Sequence, residues 1–238
     1  MIWQRATIEA ARQETPRSRT LVLDVPDWSG HLPGQHVDVR LTAEDGYTAV
    51  RSYSIASASD SGRLEVTVDR LDDGEVSPYL VDIAEPGTML EVRGPNGRYF
   101  VWDPADERPV QLIGGGSGVV PLMSMIRTYG DRSSTVPFRL LYSVRSPALA
   151  LFGDEIAERA ATDASLDVTW TYSREAPPDW TAPVGRLTLE TLDAALFPRS
   201  AGAVTFVCGS TPFVERVATW LQDAECPLED IRTERYGG

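Results

Sequence analysis

Lysine is absent from the 238-residue sequence, and all 22 basic residues are arginine. That absence excludes Schiff-base chemistry on a lysine and a P-loop lysine on a nucleotide phosphate. Cysteine is nearly absent too: Cys208 and Cys226 are too few for a four-thiolate iron-sulfur cluster or for a disulfide framework. The two histidines, His31 and His36, lie close together without the further ligands that zinc requires, so they read as strand or turn residues and no metal is expected. No apolar run approaches membrane-spanning length, and Met1 to Arg5 leads into polar sequence. A cytoplasmic protein without membrane insertion is expected. Positive charge is outnumbered, with 35 acidic residues giving a formal net charge of -13, which disfavours nucleic acid and anionic membranes as partners.

What is present falls into two halves. From Trp3 to Val101 short alternating segments, such as Leu21 to Val25, Gln35 to Leu41, Arg51 to Ala56, Leu64 to Arg70 and Met89 to Arg93, are punctuated by glycine, proline and aspartate turns. This pattern predicts an antiparallel barrel or sandwich, with one short helix over Ser77 to Ile83. After the polar, proline-bounded stretch Trp102 to Pro109, apolar strands alternate with helices: Val110 to Gly114, Phe138 to Val144, Leu166 to Tyr172, Val204 to Cys208 and Ile231 to Tyr236. Such alternation predicts a parallel sheet covered on both faces, with ligands at the carboxyl ends of its strands. The expected domains are residues 1–104 and 109–238.

The most informative stretch is Arg51-Ser52-Tyr53-Ser54-Ile55-Ala56-Ser57. On a strand, Arg51 and Tyr53 share one face and Ser52 and Ser54 the other. A guanidinium, a ring and a hydroxyl together suit a planar, phosphorylated cofactor such as a flavin, although a polar-aromatic barrel strand carries the same residue types. Gly74-Glu75-Val76-Ser77 opens the predicted short helix, so its amides and the Ser77 hydroxyl suit a phosphate, and a simple capped helix start is the plain alternative. Gly114-Gly115-Gly116-Ser117-Gly118 follows the first strand of the second half and opens a helix, a context that lets backbone amides approach a pyrophosphate. The same glycines also serve a tight strand-to-helix packing turn. Beyond later strand ends stand Ser143 and Arg145, Ser173 and Arg174, Cys208-Gly209, and Arg186 in a connection. The arginines suit an anionic ligand with a phosphate beyond the pyrophosphate, or else rim salt bridges.

In this order the motifs resemble the ferredoxin-NADP reductase family over nearly the whole chain, from Pro33-Gly34-Gln35 to Glu234-Arg235-Tyr236. Arg51-Ser52-Tyr53-Ser54 is similar to the family's flavin motif, Gly74 to Ser77 to its second FAD loop, and Gly94-Pro95-Asn96-Gly97 with Phe100 to its barrel-closing turn. Gly114 to Pro121 resembles its nicotinamide-nucleotide loop. The resemblance implies a six-stranded antiparallel β-barrel of Greek-key type that binds FAD, followed by an α/β Rossmann-like parallel sheet that binds NADPH or NADH. It implies FAD contacts at Arg51, Tyr53, Ser54, Ile55, Gly74, Val76, Ser77 and Tyr236. It further implies nucleotide contacts at Gly115, Gly116, Gly118, Pro121, Arg145, Ser173, Arg174, Cys208 and Gly209. Ser54, Cys208, Glu234 and Tyr236 would surround the hydride path as catalytic residues, and Ser173 with Arg174 favours NADPH.

Two departures stand out. Val120 takes the place of a small or hydroxyl-bearing residue before Pro121, and Gly237-Gly238 extends the chain past the aromatic cover. A reductase without an iron-sulfur domain beside the two halves is expected. The expected function is hydride transfer from NADPH to FAD, then electron delivery by a monomer to a separate ferredoxin-like or flavodoxin-like protein. An NAD(P)H:flavin reductase or diaphorase acting on a small acceptor is the alternative within enzymes. An FAD-holding electron-transfer subunit that does not use nicotinamide is the alternative outside them. Arg93, Arg98 and Arg235 are candidates for a basic patch that would meet an acidic carrier.

Overall fold

The computed structural model describes residues 2–131 and 135–236, so Gly237-Gly238 lies outside the described residues. The chain divides into two compact units. The first holds the residues through Asp103 together with the stretch that begins at Met123, and the second holds Pro104–Leu122 and the remainder.

The first unit is an antiparallel sheet of six strands: β1 (Gln4–Thr15), β2 (Ser18–Asp24), β3 (His36–Thr42), β4 (Thr48–Ser54), β5 (Leu64–Asp69) and β6 (Met89–Asn96). Their order is β4-β3-β6-β1-β2-β5, and a bridge between Ile55 and Val66 joins its two ends. Period-two patterning produces the inside and the outside: in β3, Val37 and Val39 are buried while Asp38 and Arg40 stay partly exposed. Ile8, Leu21, Val66, Val68, Leu90 and Val92 complete the same core, and each such side chain contributes roughly 1.5–3 kcal/mol on burial.

β1 is the element that alternation alone does not find. Its Glu9-Ala10-Ala11-Arg12-Gln13-Glu14 segment is made of good helix formers. Pairing with β2 overrides that preference, and two register shifts accommodate the segment, between Ile8 and Ala10 and between Gln13 and Thr15. The helix expected over Ser77 to Ile83 is a single π-helical turn, Tyr79–Ile83, in which the Ala84 N–H donates to the Tyr79 carbonyl at 2.8 Å. Leu80 enters the barrel core from it, and Val76 from the loop before it.

The second unit is a parallel sheet of β7 (Val110–Gly115), β8 (Phe138–Val144), β9 (Leu166–Tyr172), β10 (Val204–Ser210) and β11 (Ile231–Tyr236), in the order β11-β10-β7-β8-β9. The helices are α1 (Val119–Asp131), whose residues from Met123 on belong to the first unit, and α2 (Gly153–Thr162), α3 (Leu189–Ala195) and α4 (Thr211–Asp223) of the second. α4 buries Val214, Val217 and Leu221, the spacing of one helical face. Thr188 caps α3 by accepting from the Thr191 N–H. Because the chain builds outward from β7 in both directions, the order reverses between β7 and β10, the position where open α/β sheets bind ligands. No helix among the described residues is long and apolar enough to cross a membrane.

Candidate functional site

In the first unit, β3 sets the register of the flavin-type strand. Arg51 lies opposite Val39, Tyr53 opposite Val37 and Ser54 opposite His36. Exposure falls along β4: Arg51 is open to solvent, Tyr53 is half-buried against the barrel core, and Ser54 is buried. Burial pushes the Tyr53 phenol up, which keeps it neutral. A charged group outside, a ring at mid-depth and a hydroxyl inside fit the phosphate, ring and polar edge of a flavin, in that sequence. Ile55 and Val76, both expected to contact the cofactor, have their side chains in the barrel core. Only backbone atoms of these two residues remain for a ligand.

The loop before the π-helical turn comes to Arg51 through Glu75. Arg51 Nη2 donates to Glu75 Oε2 at 3.3 Å, and the Tyr47 hydroxyl donates to Glu75 Oε1 at 3.1 Å. The two candidate phosphate groups of this unit, 24 residues apart in sequence, thus meet at one carboxylate. Ser77 is buried and its Oγ accepts from the Leu71 N–H at 3.0 Å. Its hydroxyl therefore shapes the loop as well as offering a donor.

In the second unit the strand register gathers the candidates into one row. Cys208 is flanked by Gly114 on β7 and Glu234 on β11, and the neighbouring positions pair Gly209 with Arg235 and Ser210 with Tyr236. On the other side Gly115 pairs with Ser143. Cys208 is fully buried, and its thiol is pushed well up, first by burial and second by the Glu234 carboxylate, against hydrogen bonds with Tyr236 and the Gly209 backbone. A thiol so held is a poor nucleophile. Burial raises Glu234 to about 7, so its carboxyl holds or releases a proton near neutrality.

The glycine loop is shaped for two different reasons. A Cβ on Gly118 would lie 2.2 Å from the Cys208 carbonyl oxygen, so this glycine serves a backbone-to-backbone contact. Gly116 has φ +56° and nothing within 4 Å of a Cβ position, which leaves its surroundings open for a ligand phosphate. A short 3₁₀ turn, Gly116–Gly118, leads into α1. Val120 is buried, as is Pro121, so the departure at Val120 is taken up by packing.

Arg145 and Arg174 lie beyond the ends of β8 and β9 and are joined through the backbone, the Arg174 and Glu175 N–H groups both donating to the Arg145 carbonyl at 3.0 Å. Ser173 precedes them, its N–H donating to the Val144 carbonyl at 2.9 Å. Arg145, Arg174 and Arg186 are all exposed, and none forms an ion pair among the described residues. Arg93 is different. Its guanidinium pairs with Asp38 at 2.8 Å and lies over the Trp3 ring, so this candidate for a basic docking patch is neutralised within the barrel. Arg98 is exposed, and Arg235 donates to Thr233 Oγ1 at 3.3 Å.

Two further groups escaped sequence reasoning. Arg127, Ser124 and Thr128 support the turn after the flavin-type strand: Arg127 donates to the Ala56 carbonyl at 2.8 Å, Ser124 to the Ser57 carbonyl at 2.7 Å, and Thr128 accepts from the Ser59 N–H at 2.9 Å. Their spacing at i, i+3 and i+4, a polar face on an otherwise apolar helix, was the available signal. Phe213, in the first turn of α4, covers Gly115 and Gly209, whose Cβ positions would lie 2.8 Å and 2.9 Å from its ring. No pattern in the sequence announces that contact. No group of three or more histidines, cysteines or acids among the described residues is placed to hold a metal ion.

Two family models match successive parts of the chain. Residues 6–101 match an oxidoreductase FAD-binding domain and residues 112–219 an oxidoreductase NAD-binding domain. A glycine betaine monooxygenase reductase subunit from Chromohalobacter salexigens is 32% identical over 231 residues, 94% of this chain and 62% of that protein. An NADPH oxidoreductase from Mycobacterium tuberculosis is 36% identical over 164 residues, 66% of this chain and 42% of that protein. The chain thus spans less than two thirds of the length of these relatives. The fold of the FAD/NAD binding domain of a Vibrio cholerae nitric oxide dioxygenase superposes with a TM-score of 0.87 at 24% identity, over 99% of both chains.

Proposed function

The chain belongs to the ferredoxin-NADP reductase family, as an FAD-dependent NAD(P)H oxidoreductase by the two domains it carries, and from that premise we propose that it takes hydride from NADPH and delivers electrons to a separate carrier. The observation that carries this reading is the row Gly114, Cys208, Glu234, which sets a phosphate-type loop, a buried thiol and a near-neutral carboxyl side by side at the carboxyl end of one sheet. When bound, FAD accepts the hydride and releases electrons one at a time.

The residues then divide the work. Arg51 anchors phosphate, Tyr53 supports the ring and Ser54 donates to the flavin's polar edge. The 114–118 loop cradles the nicotinamide nucleotide's pyrophosphate, and Arg174 with Ser173 grips the 2′-phosphate. Cys208, Glu234 and Tyr236 position the nicotinamide, with Glu234 able to hold a proton at neutral pH. The names of the relatives, a monooxygenase reductase subunit and an NADPH oxidoreductase, support a separate protein acceptor of the electrons and NADPH as donor.

Anaerobic titration of the purified, flavin-loaded chain tests the proposal. NADPH should bleach the flavin absorbance at micromolar concentrations while NADH requires far more, and reduced protein should reoxidise faster with ferredoxin than with free flavin. An unchanged spectrum with both nucleotides would overturn the reading.

A further inference from the structure

We propose that Glu75 is an internal competitor for the phosphate site at Arg51 and so sets how tightly the barrel holds a phosphate-bearing flavin. The inference rests on the reading of the barrel as the flavin unit. Its starting point is geometric. The guanidinium of Arg51 donates to the Val50 carbonyl at 2.7 Å and to Glu75 at 3.3 Å. Glu75 is also held from its other oxygen by the Tyr47 hydroxyl at 3.1 Å. A carboxylate therefore already engages the guanidinium that the flavin's phosphate would use.

With Arg51 Nη1 on the Val50 carbonyl and Nη2 on Glu75, a phosphate that takes the Nη1/Nη2 face competes with the carboxylate for Nη2. Removing the Glu75 charge frees that face and removes a fixed negative charge facing the ligand's phosphates. One effect opposes this: Glu75 ties the 74–77 loop to β4 and to the Tyr47 turn, and so helps to order Arg51. The exposure of the pair decides between them. The two side chains are 51% and 53% exposed and the bond is long, and ion pairs of that kind hold little order. Electrostatic competition therefore outweighs the loss of order, and the barrel releases its flavin more readily than its arginine alone would allow.

The test uses the full chain freed of flavin, titrated with riboflavin, FMN and FAD by flavin fluorescence, in wild type, Glu75→Gln and Glu75→Ala. Both variants should bind FAD about two- to fivefold more tightly than wild type. Riboflavin, which carries no phosphate, should bind all three proteins equally. The FAD dissociation constant should also rise more steeply with salt in the variants, because one more cation is available to the ligand. Unchanged or weaker FAD binding in both variants, or a gain shared equally by riboflavin, overturns the proposal. Failure of the wild type to bind any of the three flavins overturns the flavin reading itself and the proposal with it.

Discussion

Cys208 and Glu234 stand opposite each other in the parallel ladder of β10 and β11, a thiol kept protonated beside a carboxyl that burial raises to about 7. The raised Glu234 means that the fold favours its protonated form. That contribution to stability is complete below the ordinary value of 4.5 and is lost as pH rises through about 7. Glu234→Gln should therefore melt close to wild type near about pH 4 and above it near about pH 8. Melting curves whose difference is the same at both pH values would sink the assignment. Flavin reduction by nicotinamide nucleotide should show a transition near neutrality that the variant lacks.

Gly118→Ala and Gly116→Ala separate the two demands on the glycine loop. The first places a Cβ 2.2 Å from the Cys208 carbonyl and must push β10 away from the loop; a loss of about 3 kcal/mol or more and a broken nucleotide site are expected. The second meets no atom within 4 Å and pays only for φ +56°, about 1 kcal/mol. Thermal melts combined with nucleotide titration read both. Equal damage from the two substitutions would contradict the division.

Arg174→Ala should weaken NADPH binding about ten- to hundredfold, the loss of a charge-assisted contact to a phosphate, and leave NADH nearly unchanged. Dissociation constants for both nucleotides on the same protein are the measurement. A parallel loss for both would assign Arg174 to the shared part of the nucleotide and remove the argument for NADPH.

Arg127 is 8% exposed and bonds to the Ala56 carbonyl and, at 3.3 Å, to Glu65. Arg127→Ala leaves a buried carbonyl and a partly buried carboxylate without this partner, and a loss of about 3 kcal/mol is expected. Arg127→Met should cost less, since it restores most of the packed volume. Midpoints of denaturant unfolding compare the two, and a harmless alanine would show that the turn after β4 does not need this support.

The fold was readable where local pattern and tertiary demand agree. The strands β8, β9 and β11 have the limits expected for them: β8 is an inner strand and mostly apolar, while β9 and β11 are edge strands whose limits come from the turn and helix signals on either side. β1 was hidden because its helix-forming middle is held extended only by pairing with distant residues. The candidate site follows the same rule. Motifs confined to a few neighbouring residues, such as Arg51 to Ser54 and Gly114 to Gly118, could be read from the chain. Contacts between distant residues could not: Glu75 on Arg51, Asp38 on Arg93 and Phe213 over Gly115 depend on the folded arrangement.

The bridge between Ile55 and Val66 places the barrel's seam at the residue that follows Ser54. The Ile55 N–H donates to the Gln35 carbonyl at 3.0 Å and the Ala56 N–H to the Glu65 carbonyl at 2.7 Å. The two ends of the sheet are thus stitched by the same few amides that hold the flavin-type strand in place. Deuterium uptake at Ala56, whose amide crosses to β5, is accordingly a direct gauge of the barrel opening at this line, and uptake at Ile55 reports its hold on the β3 side. It makes the condition of the strand measurable with or without flavin and independently of turnover.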